Sequence, residues 1–399
     1  MLDDKSGALD ELGPITDEDV IDLLSQLVSI KSTNPRDKQD VGPDDGEYRL
    51  GQFIAGWAER LGFQVRVQEV LPYRNNVLVT LEGRNPSRHL LFEGHMDTVQ
   101  GEGMTIEPFT PRVAGDRLYG RGACDAKGPL ASMMLAMKAL RSVSGALDAS
   151  VTLAAVVDEE HQFRGVSALV DSGIKADAAI VGEPTELDIV IAHKGCLRWR
   201  ITTYGRSVHT SRAEEGVNAI SKMAEVIRAL DDLGKKYQAR RHPRVGVPLL
   251  TVTMINGGVG VNTVPDRCTI NVDRRTLPNE DPEEALREIE AVIEELKGRD
   301  PDLNVEMEAP YLWDIPMEVS PDEHIVLCLR SAAAACNRDS KVVGVPYGTD
   351  ASKLVVRGGI PSVVFGPGSI QDAHTPDESI SISQVREAAE ILVLAATRF

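Results

Sequence analysis

The stretch VTLAAVVDEE (151–160) is a short apolar run that ends in three acidic residues. Apolar, β-branched runs of this length predict buried strands, and HLLFEGH (89–95) and AAIVGEP (178–184) have the same pattern. Helical patterns lie between such runs, as in DEDVIDLLSQLVSI (17–30) and GPLASMMLAMKAL (128–140). Apolar strands that alternate with helices predict an α/β fold, with a mostly parallel sheet flanked by helices. Such a sheet binds its ligands at the carboxyl ends of its strands.

The pattern changes near residue 195. From there the predicted elements follow the order β-α-β-β-α-β, which is typical of a ferredoxin-like module. After this module the chain returns to alternating helices and strands. We therefore predict that one domain is formed by two parts of the chain, 1–193 and 310–399, with an inserted dimerisation or lid domain at 194–309.

Composition excludes several classes of function. The formal net charge of −18 and the lack of a basic, aromatic-rich stripe argue against a nucleic-acid partner. Apolar runs are too short for a membrane span, and the acidic start MLDDKSGALDELGP lacks the apolar region of a signal peptide. Five cysteines without close pairing do not form a disulfide pattern. We expect a cytoplasmic protein with reduced thiols.

Five residues at predicted strand ends or in glycine-containing turns could bind metal: His95, Asp125, Glu160, Glu183 and His374. Each alone is more often a surface or buried polar residue. Together they offer the nitrogen and oxygen ligands that zinc and similar cations prefer. Two adjacent cations need one carboxylate between them and further ligands on each. Spacing alone leaves open which residue has which position.

Motifs that contain these residues occur in a recognisable order: HMDTV (95–99), GRGACDAKGPLA (120–131), DEE (158–160), GEP (182–184) and AHTPDE (373–378). Over nearly its whole length the chain resembles the co-catalytic zinc family of acetylornithine deacetylase, succinyl-diaminopimelate desuccinylase, aminoacylase and carboxypeptidase G, whose fold is that of the zinc exopeptidases. The resemblance implies two divalent cations, zinc or alternatively cobalt or manganese. It implies that Asp125 bridges them, with His95 and Glu183 on one and Glu160 and His374 on the other.

The resemblance also implies catalytic roles beside the ligands. Asp97 would accept the ring N–H of His95 and so fix its tautomer. Glu159 would be the general base, although a plain acidic turn is the alternative interpretation. Cys124 is next to Asp125, but it lacks an obvious histidine partner, and activated water supplies the attacking group. We therefore reject Cys124 as a nucleophile.

In the inserted module, GRSVHTSRAEEGVNAI (205–220) resembles the family segment whose histidine, here His209, reaches across a homodimer to stabilise the oxyanion. Ala213 stands where relatives usually have proline. By the same resemblance, Asn262 lies near the substrate, Arg275 binds the substrate carboxylate and Thr349 lines the substrate site. A solvated strand residue is the alternative for Arg275. An edge strand or helix of the module would be free to pair with a second copy.

The sequence thus predicts an enzyme that cleaves the amide bond of an N-acyl amino acid, as acetylornithine deacetylase or succinyl-diaminopimelate desuccinylase does. Two alternatives stay open: a dipeptidase, tripeptidase or carboxypeptidase of the same family, and an inactive relative that serves as a scaffold. The sequence does not specify the acyl group.

Overall fold

The computed structural model describes residues 14–142, 145 and 147–399. Its contacts divide the chain into two compact units. The first comprises the chain up to Ile191 together with Val319–Val343 and Thr349–Phe399, and the second comprises Ala192–Glu318 and Gly344–Gly348. Among the described residues, no helix is both long enough and apolar enough to span a membrane. The domain boundaries predicted from the sequence, after residues 193 and 309, stay a prediction.

Helices are interspersed with runs of one to five strands along the described part of the chain. The strands are β1 (Gln64–Leu71), β2 (Arg74–Leu81), β3 (Asn85–His95), β4 (Arg112–Ala114), β5 (Arg117–Tyr119), β6 (Ala149–Val156), β7 (Ala178–Val181), β8 (Ile189–His193), β9 (Gly195–Tyr204), β10 (Leu249–Gly257), β11 (Arg267–Thr276), β12 (Asn304–Met307), β13 (Leu312–Asp314), β14 (Met317–Glu318), β15 (Val342–Val345), β16 (Ser362–Val364) and β17 (Ser379–Ser381). The helices are α1 (Asp17–Ser29), α2 (Tyr48–Arg60), α3 (Gly128–Ser142), α4 (Arg164–Asp171), α5 (Ala219–Lys236), α6 (Pro282–Arg299), α7 (His324–Ala335) and α8 (Ile382–Arg398).

A large sheet with the strand order β1-β2-β6-β3-β7-β16-β8 forms the centre of the first unit. The four strands β6, β3, β7 and β16 are parallel to one another, whereas the outer pairs are antiparallel. In the register of the parallel strands, Val156 pairs with His95 and Val181 pairs with Glu93. The carboxyl ends of β6, β3 and β7 therefore meet at one edge of the sheet. The α/β fold with a mostly parallel central sheet is confirmed.

Helices of the first unit bury their apolar faces in one core with this sheet. Helix α3 is buried along most of its length and contacts α1 and α8. Helix α1 begins with a capping box, because the Thr16 hydroxyl accepts the Asp19 N–H at 3.1 Å and the Asp19 carboxylate accepts the Thr16 N–H at 3.0 Å. Burial of these faces, rather than local propensity, supplies most of the stability of the helices.

The second unit contains an antiparallel sheet with the order β10-β11-β9-β12, and β13 also pairs with β9. Helices α5 and α6 pack with this sheet around a separate core that includes the fully buried Trp199. Side chains cap both helices, since the Asn218 carboxamide accepts the N–H groups of Ile220 and Ser221 and the Asp281 carboxylate accepts that of Glu283. The elements β9-α5-β10-β11-α6-β12 follow the order that the sequence predicts.

Candidate metal centre

Three strand ends supply candidate ligands from neighbouring positions. His95 is the last residue of β3, while Glu160 follows β6 and Glu183 follows β7 after short turns. Since β6, β3 and β7 are adjacent and parallel, their side chains beyond the strand ends reach the same space. The sheet therefore brings together residues that are far apart in sequence.

Asp125 and His374 come from loops rather than strand ends. Asp125 lies in a short π-helical turn, Ala123–Lys127, that leads directly into α3. His374 lies between β16 and β17 and has a φ of 61°, which is uncommon for a residue with a side chain. Such a conformation persists only where surrounding contacts stabilise it, and functional sites are enriched in it.

The two carboxylate oxygens of Asp125 face different histidines. Oδ1 lies 3.0 Å from His95 Nε2, and Oδ2 lies 3.2 Å from His374 Nε2. His95 Nε2 is also 3.9 Å from Glu183 Oε1, and His374 Nε2 is 2.9 Å from Glu160 Oε1. Asp125 therefore stands between two groups of possible ligands.

These two groups are His95, Asp125 and Glu183 on one side and Asp125, Glu160 and His374 on the other. Within each group, one ligand atom per residue lies within 4.8 Å of the others. The structure thus places all five residues predicted to bind metal in one cluster, and it divides them as the resemblance implies.

The charges of the cluster favour the binding of cations. Burial, together with the negative charge of Asp125, raises the pKa of both Glu160 and Glu183. Hydrogen bonds to Asp125 and Glu160 raise the pKa of His374 to about 10. The surrounding carboxylates therefore favour positive charge at this centre. Two imidazoles and three carboxylates without a thiolate fit zinc or a similar divalent cation, which would supply that charge.

Glu159 is next to the candidate ligand Glu160 and beside the rest of the cluster. Burial raises its pKa well above the usual range of a carboxyl group, and the charges of Glu183 and Asp350 raise it further, while His95 opposes them. A raised pKa near a reaction centre suits a group that must both accept and donate a proton near neutral pH.

Asp97 is fully buried and holds the turn that carries Glu159 and Glu160. Its Oδ1 accepts the backbone N–H of Glu159 at 3.1 Å, and its Oδ2 accepts that of Glu160 at 3.0 Å. His95 Nδ1 is 3.5 Å from Asp97 Oδ1 but only 3.0 Å from the Asp97 backbone oxygen. The nearest acceptor for the imidazole N–H is therefore the backbone of Asp97, while its carboxylate mainly organises the 159–160 turn.

Cys124 does not have the environment of a nucleophile. Its side chain is buried, and its Sγ donates to the Ser369 backbone oxygen at 3.2 Å. Burial raises the pKa of the thiol, and the negative charges of Asp125 and Glu378 raise it further. A thiol in this environment stays protonated.

The other predicted site residues lie as follows. His209 and Asn262 are exposed neighbours in the second unit, where the Asn262 backbone oxygen accepts the Thr210 N–H at 3.1 Å. Arg275 lies on β11, with its Nε 2.8 Å from Asp273 Oδ1. Thr349 belongs to the first unit and is fully buried, and its hydroxyl accepts the Ala351 N–H at 3.3 Å.

Glu378 was missed by sequence reasoning, although it belongs to the quoted AHTPDE motif. This buried carboxylate accepts the backbone N–H groups of Cys124 and Asp125, each at 3.0 Å, through Oε1. Its Oε2 lies 2.6 Å from Arg121 Nη1. The sequence does contain both residues, an acid four positions after His374 and an arginine four positions before Asp125, but spacing alone could not pair them.

Comparison with known proteins agrees with this geometry. Residues 91–398 match the model of Peptidase family M20/M25/M40. The chain is 33% identical over 386 residues to acetylornithine deacetylase of Proteus mirabilis (strain HI4320), covering 93% of this chain and 94% of the relative. It is 27% identical over 405 residues to N-formyl-4-amino-5-aminomethyl-2-methylpyrimidine deformylase of Bacillus subtilis (strain 168), covering 94% and 93%.

The fold is also similar to that of a solved structure. A Bacillus subtilis protein described as a dinuclear metal binding peptidase from the M20 family superposes with a TM-score of 0.71 and 17% identity, covering 96% of this chain and 98% of that one. At this identity the likeness concerns the fold alone. From the family match and the extensive identity to the deacetylase, we conclude that the chain is a hydrolase belonging to Peptidase family M20/M25/M40.

Proposed function

We propose that this protein is a two-metal amidohydrolase that removes the acyl group from an N-acyl amino acid. The position of Asp125 carries this proposal, since each of its carboxylate oxygens faces a separate histidine and carboxylate pair. A carboxylate shared in this way suits two cations about 3.5 to 4 Å apart.

Each cation would have its own ligands in addition to the shared Asp125. His95 and Glu183 would bind one, and Glu160 and His374 would bind the other. We propose zinc, with cobalt or manganese as alternatives, because the ligands are imidazole and carboxylate groups. Cations bound there would polarise the substrate carbonyl and lower the pKa of water.

Glu159 is the proposed general base. Its carboxylate would take a proton from the attacking water and later donate that proton to the departing amine nitrogen. Asp97 supports this task, because its carboxylate binds the backbone N–H of Glu159 and of Glu160. The base and its neighbouring ligand are thereby held by one buried group.

Residues of the second unit are proposed to bind the substrate. His209 would donate a hydrogen bond to the oxyanion that forms at the carbonyl carbon. Arg275 would bind the substrate carboxylate with its planar pair of N–H donors, with Asn262 nearby. Thr349, from the first unit, would help to shape the substrate site by stabilising its own loop, because its buried hydroxyl binds the Ala351 N–H.

Deacylation is favoured over peptide hydrolysis by the extent of identity. The deacetylase from Proteus mirabilis matches at 33% over nearly the whole chain. The name of the Bacillus subtilis relative describes a formyl group on an aminomethylpyrimidine, whereas that of the Proteus mirabilis relative describes an acetyl group on ornithine. Acyl groups that differ by one or two atoms are distinguished by contacts of only about 1 to 3 kcal/mol. We therefore propose the substrate class and leave the acyl group to the assay.

A homodimer is proposed through the second unit. Strand β10 lies at the end of its sheet, and its Met254 and Ile255 are 65% and 58% exposed. In the loop that follows, Val259 and Val261 are 88% and 103% exposed. An apolar edge strand and loop of this kind suit pairing with a second copy. We further propose the cytoplasm as the location, since the five cysteines are free.

The proposal is tested with a panel of substrates on zinc-, cobalt- and manganese-loaded protein. The panel contains N-acetyl-ornithine, N-succinyl-diaminopimelate, other N-acetyl, N-formyl and N-succinyl amino acids, dipeptides and tripeptides. We expect kcat/KM to be highest for one N-acyl amino acid. Hydrolysis of peptides alone would favour the peptidase alternative, and no hydrolysis by metal-loaded protein would favour the scaffold alternative.

A further inference from the structure

Behind the candidate metal centre lies a buried polar network formed by Asn34, Glu47, Arg74, Asp97 and Asp158. Each of these five residues is at most 1% exposed. Three come from the first 75 residues of the chain, outside the range 91–398 that matches the family model. Buried charged groups are costly unless each is paired and hydrogen-bonded, so the arrangement of this network has consequences for the residues around it.

Arg74 is the buried cation of the network. Its guanidinium binds both oxygens of Glu47, with Nε donating at 2.7 Å and Nη2 at 2.5 Å. The same Nη2 lies 3.0 Å from Asp158 Oδ1. Glu47 Oε1 in turn accepts the backbone N–H of Asp158 at 3.1 Å. Both the side chain and the backbone of Asp158, which directly precedes Glu159, are therefore fixed.

Asn34 joins this ion pair to Asp97. Its Nδ2 donates to Asp97 Oδ2 at 2.7 Å and to Asp158 Oδ1 at 3.0 Å. Its Oδ1 accepts the Arg36 N–H at 2.7 Å, which fixes the orientation of the carboxamide. The Asn34 backbone N–H donates to the Thr98 oxygen at 2.9 Å, so the residue is also held beside Asp97 through the backbone.

The charges in the network explain why an amide is present at position 34. Glu47, Asp97 and Asp158 are three carboxylates, whereas the arginines that bind them are Arg74 and the partly exposed Arg164, and His95 lies beside Asp97. A neutral group with two donors on one nitrogen can approach two carboxylates at once without adding charge. Aspartate has nearly the same shape, but it would add a fourth negative charge and remove both donors.

We infer that Asn34 is a positioning residue, which sets the place of the Glu159–Glu160 turn by tying Asp97 to Asp158. Asp97 binds the two backbone N–H groups of that turn, and Asp158 is the residue that enters it. Asn34 therefore acts on the proposed base Glu159 and on the proposed ligand Glu160 through Asp97, which binds the backbone of both. The inference rests on the proposed function for the role of Glu159, but the predicted effect on metal binding does not depend on the substrate.

The test compares Asn34→Ala, Asn34→Ser and Asn34→Asp with the wild-type protein. Changes in groups that support metal ligands typically cost 10- to 100-fold in affinity or activity. We expect Asn34→Ala to weaken binding of one of the two Zn²⁺ ions, that proposed for Glu160 and His374, by about tenfold, measured by chelator competition on the metal-free protein. With both sites filled, we expect kcat to fall at least about tenfold, while KM changes less than about threefold.

Thr152→Val is the matched control, because Thr152 is a buried residue of β6 whose hydroxyl binds Thr80 and His89 rather than the network. It should lower Tm without changing Zn²⁺ affinity or kcat. Asn34→Ser retains one donor and should give a Zn²⁺ affinity between those of wild-type protein and Asn34→Ala. If Asn34→Ala does not fold, the Zn²⁺ affinity and kcat of Asn34→Ser test the inference. Asn34→Asp should lower Zn²⁺ affinity and kcat more than either of these substitutions.

Wild-type Zn²⁺ affinity and kcat in the folded Asn34 variants, or the same losses in Thr152→Val, would overturn the inference. If wild-type protein binds two ions but hydrolyses no amide, the proposed function fails, whereas the Zn²⁺ titration still decides the role of Asn34.

Discussion

Glu378 Oε1 accepts the backbone N–H of Asp125 at 3.0 Å, although 253 residues separate them in the sequence. The same oxygen accepts the N–H of Cys124, and Arg121 neutralises the other oxygen. Asp97 likewise accepts two consecutive N–H groups, that of Glu159 through Oδ1 and that of Glu160 through Oδ2. Two buried carboxylates, each accepting two consecutive N–H groups, therefore hold the two turns that supply the proposed shared ligand, the proposed base and a further proposed ligand.

Replacing Glu378 should affect both cations, because Asp125 is the proposed shared ligand. In Glu378→Gln the carboxamide keeps an acceptor for the two N–H groups but directs an NH₂ group at Arg121. We expect Zn²⁺ affinity to fall about 10- to 100-fold at both sites, measured by chelator competition. Arg386→Ala, which removes a surface pair with Asp17, is the control and should leave the affinity unchanged. An equal effect of both changes would contradict this role.

Glu159→Ala should separate catalysis from metal binding. Since Glu159 is the proposed base rather than a ligand, we expect turnover to fall at least about 10²-fold while two metal ions per chain remain. Turnover is measured with the best substrate of the panel, and metal content is measured by plasma mass spectrometry on the same sample. Near-wild-type turnover would remove Glu159 from the role of base, and loss of one metal would make it a ligand.

Arg275 is expected to act on the substrate carboxylate. Arg275→Ala should raise KM for an N-acyl amino acid about 10- to 100-fold, because a charge-assisted pair of hydrogen bonds is lost. The matched control is the same N-acyl amino acid with its carboxylate converted to an amide, on which wild-type protein and Arg275→Ala should differ little. An equal loss on both substrates would indicate that Arg275 has a structural role, for example through its pair with Asp273.

His209 provides a test of the homodimer. If His209 acts on the metal centre of the other copy, two inactive variants should complement each other. In an equal mixture of His209→Ala and Glu159→Ala, exchanged at random after reversible dissociation, about one quarter of wild-type activity should return, because half of the dimers would have one complete site. No recovery in a mixture shown to contain mixed dimers would place His209 in its own copy's site or in none.

Much of the first unit could be predicted from the sequence because its signals are local. Runs such as VTLAAVV (151–157) are too apolar for a loop and too short for a helix, and the acids that follow them mark the strand ends. Strand β1 was not predicted, since QVRVQEVL mixes charged and apolar residues along an outer strand with mainly exposed or half-buried positions. The short strands β4, β5 and β17 have three residues each and likewise have no periodic pattern.

The proposed ligands could be named from motifs, but the groups that hold them in place could not. His95, Asp125 and Glu160 lie in short motifs whose order is informative. Asn34 and Glu378 act through hydrogen bonds to residues 63 and 253 positions away, to Asp97 and Asp125, and nothing in their own neighbourhoods specifies those partners. Long-range pairing of this kind follows from the fold, so the structure was needed to find it.

The central claim is that Asp125 lies between two cations. The most direct measurement is anomalous diffraction at the zinc edge from crystals of protein grown with zinc. We predict two peaks, one contacted by His95 and Glu183 and one by Glu160 and His374, with an oxygen of Asp125 at each. A single peak, or two peaks of which one lacks Asp125, would contradict the account.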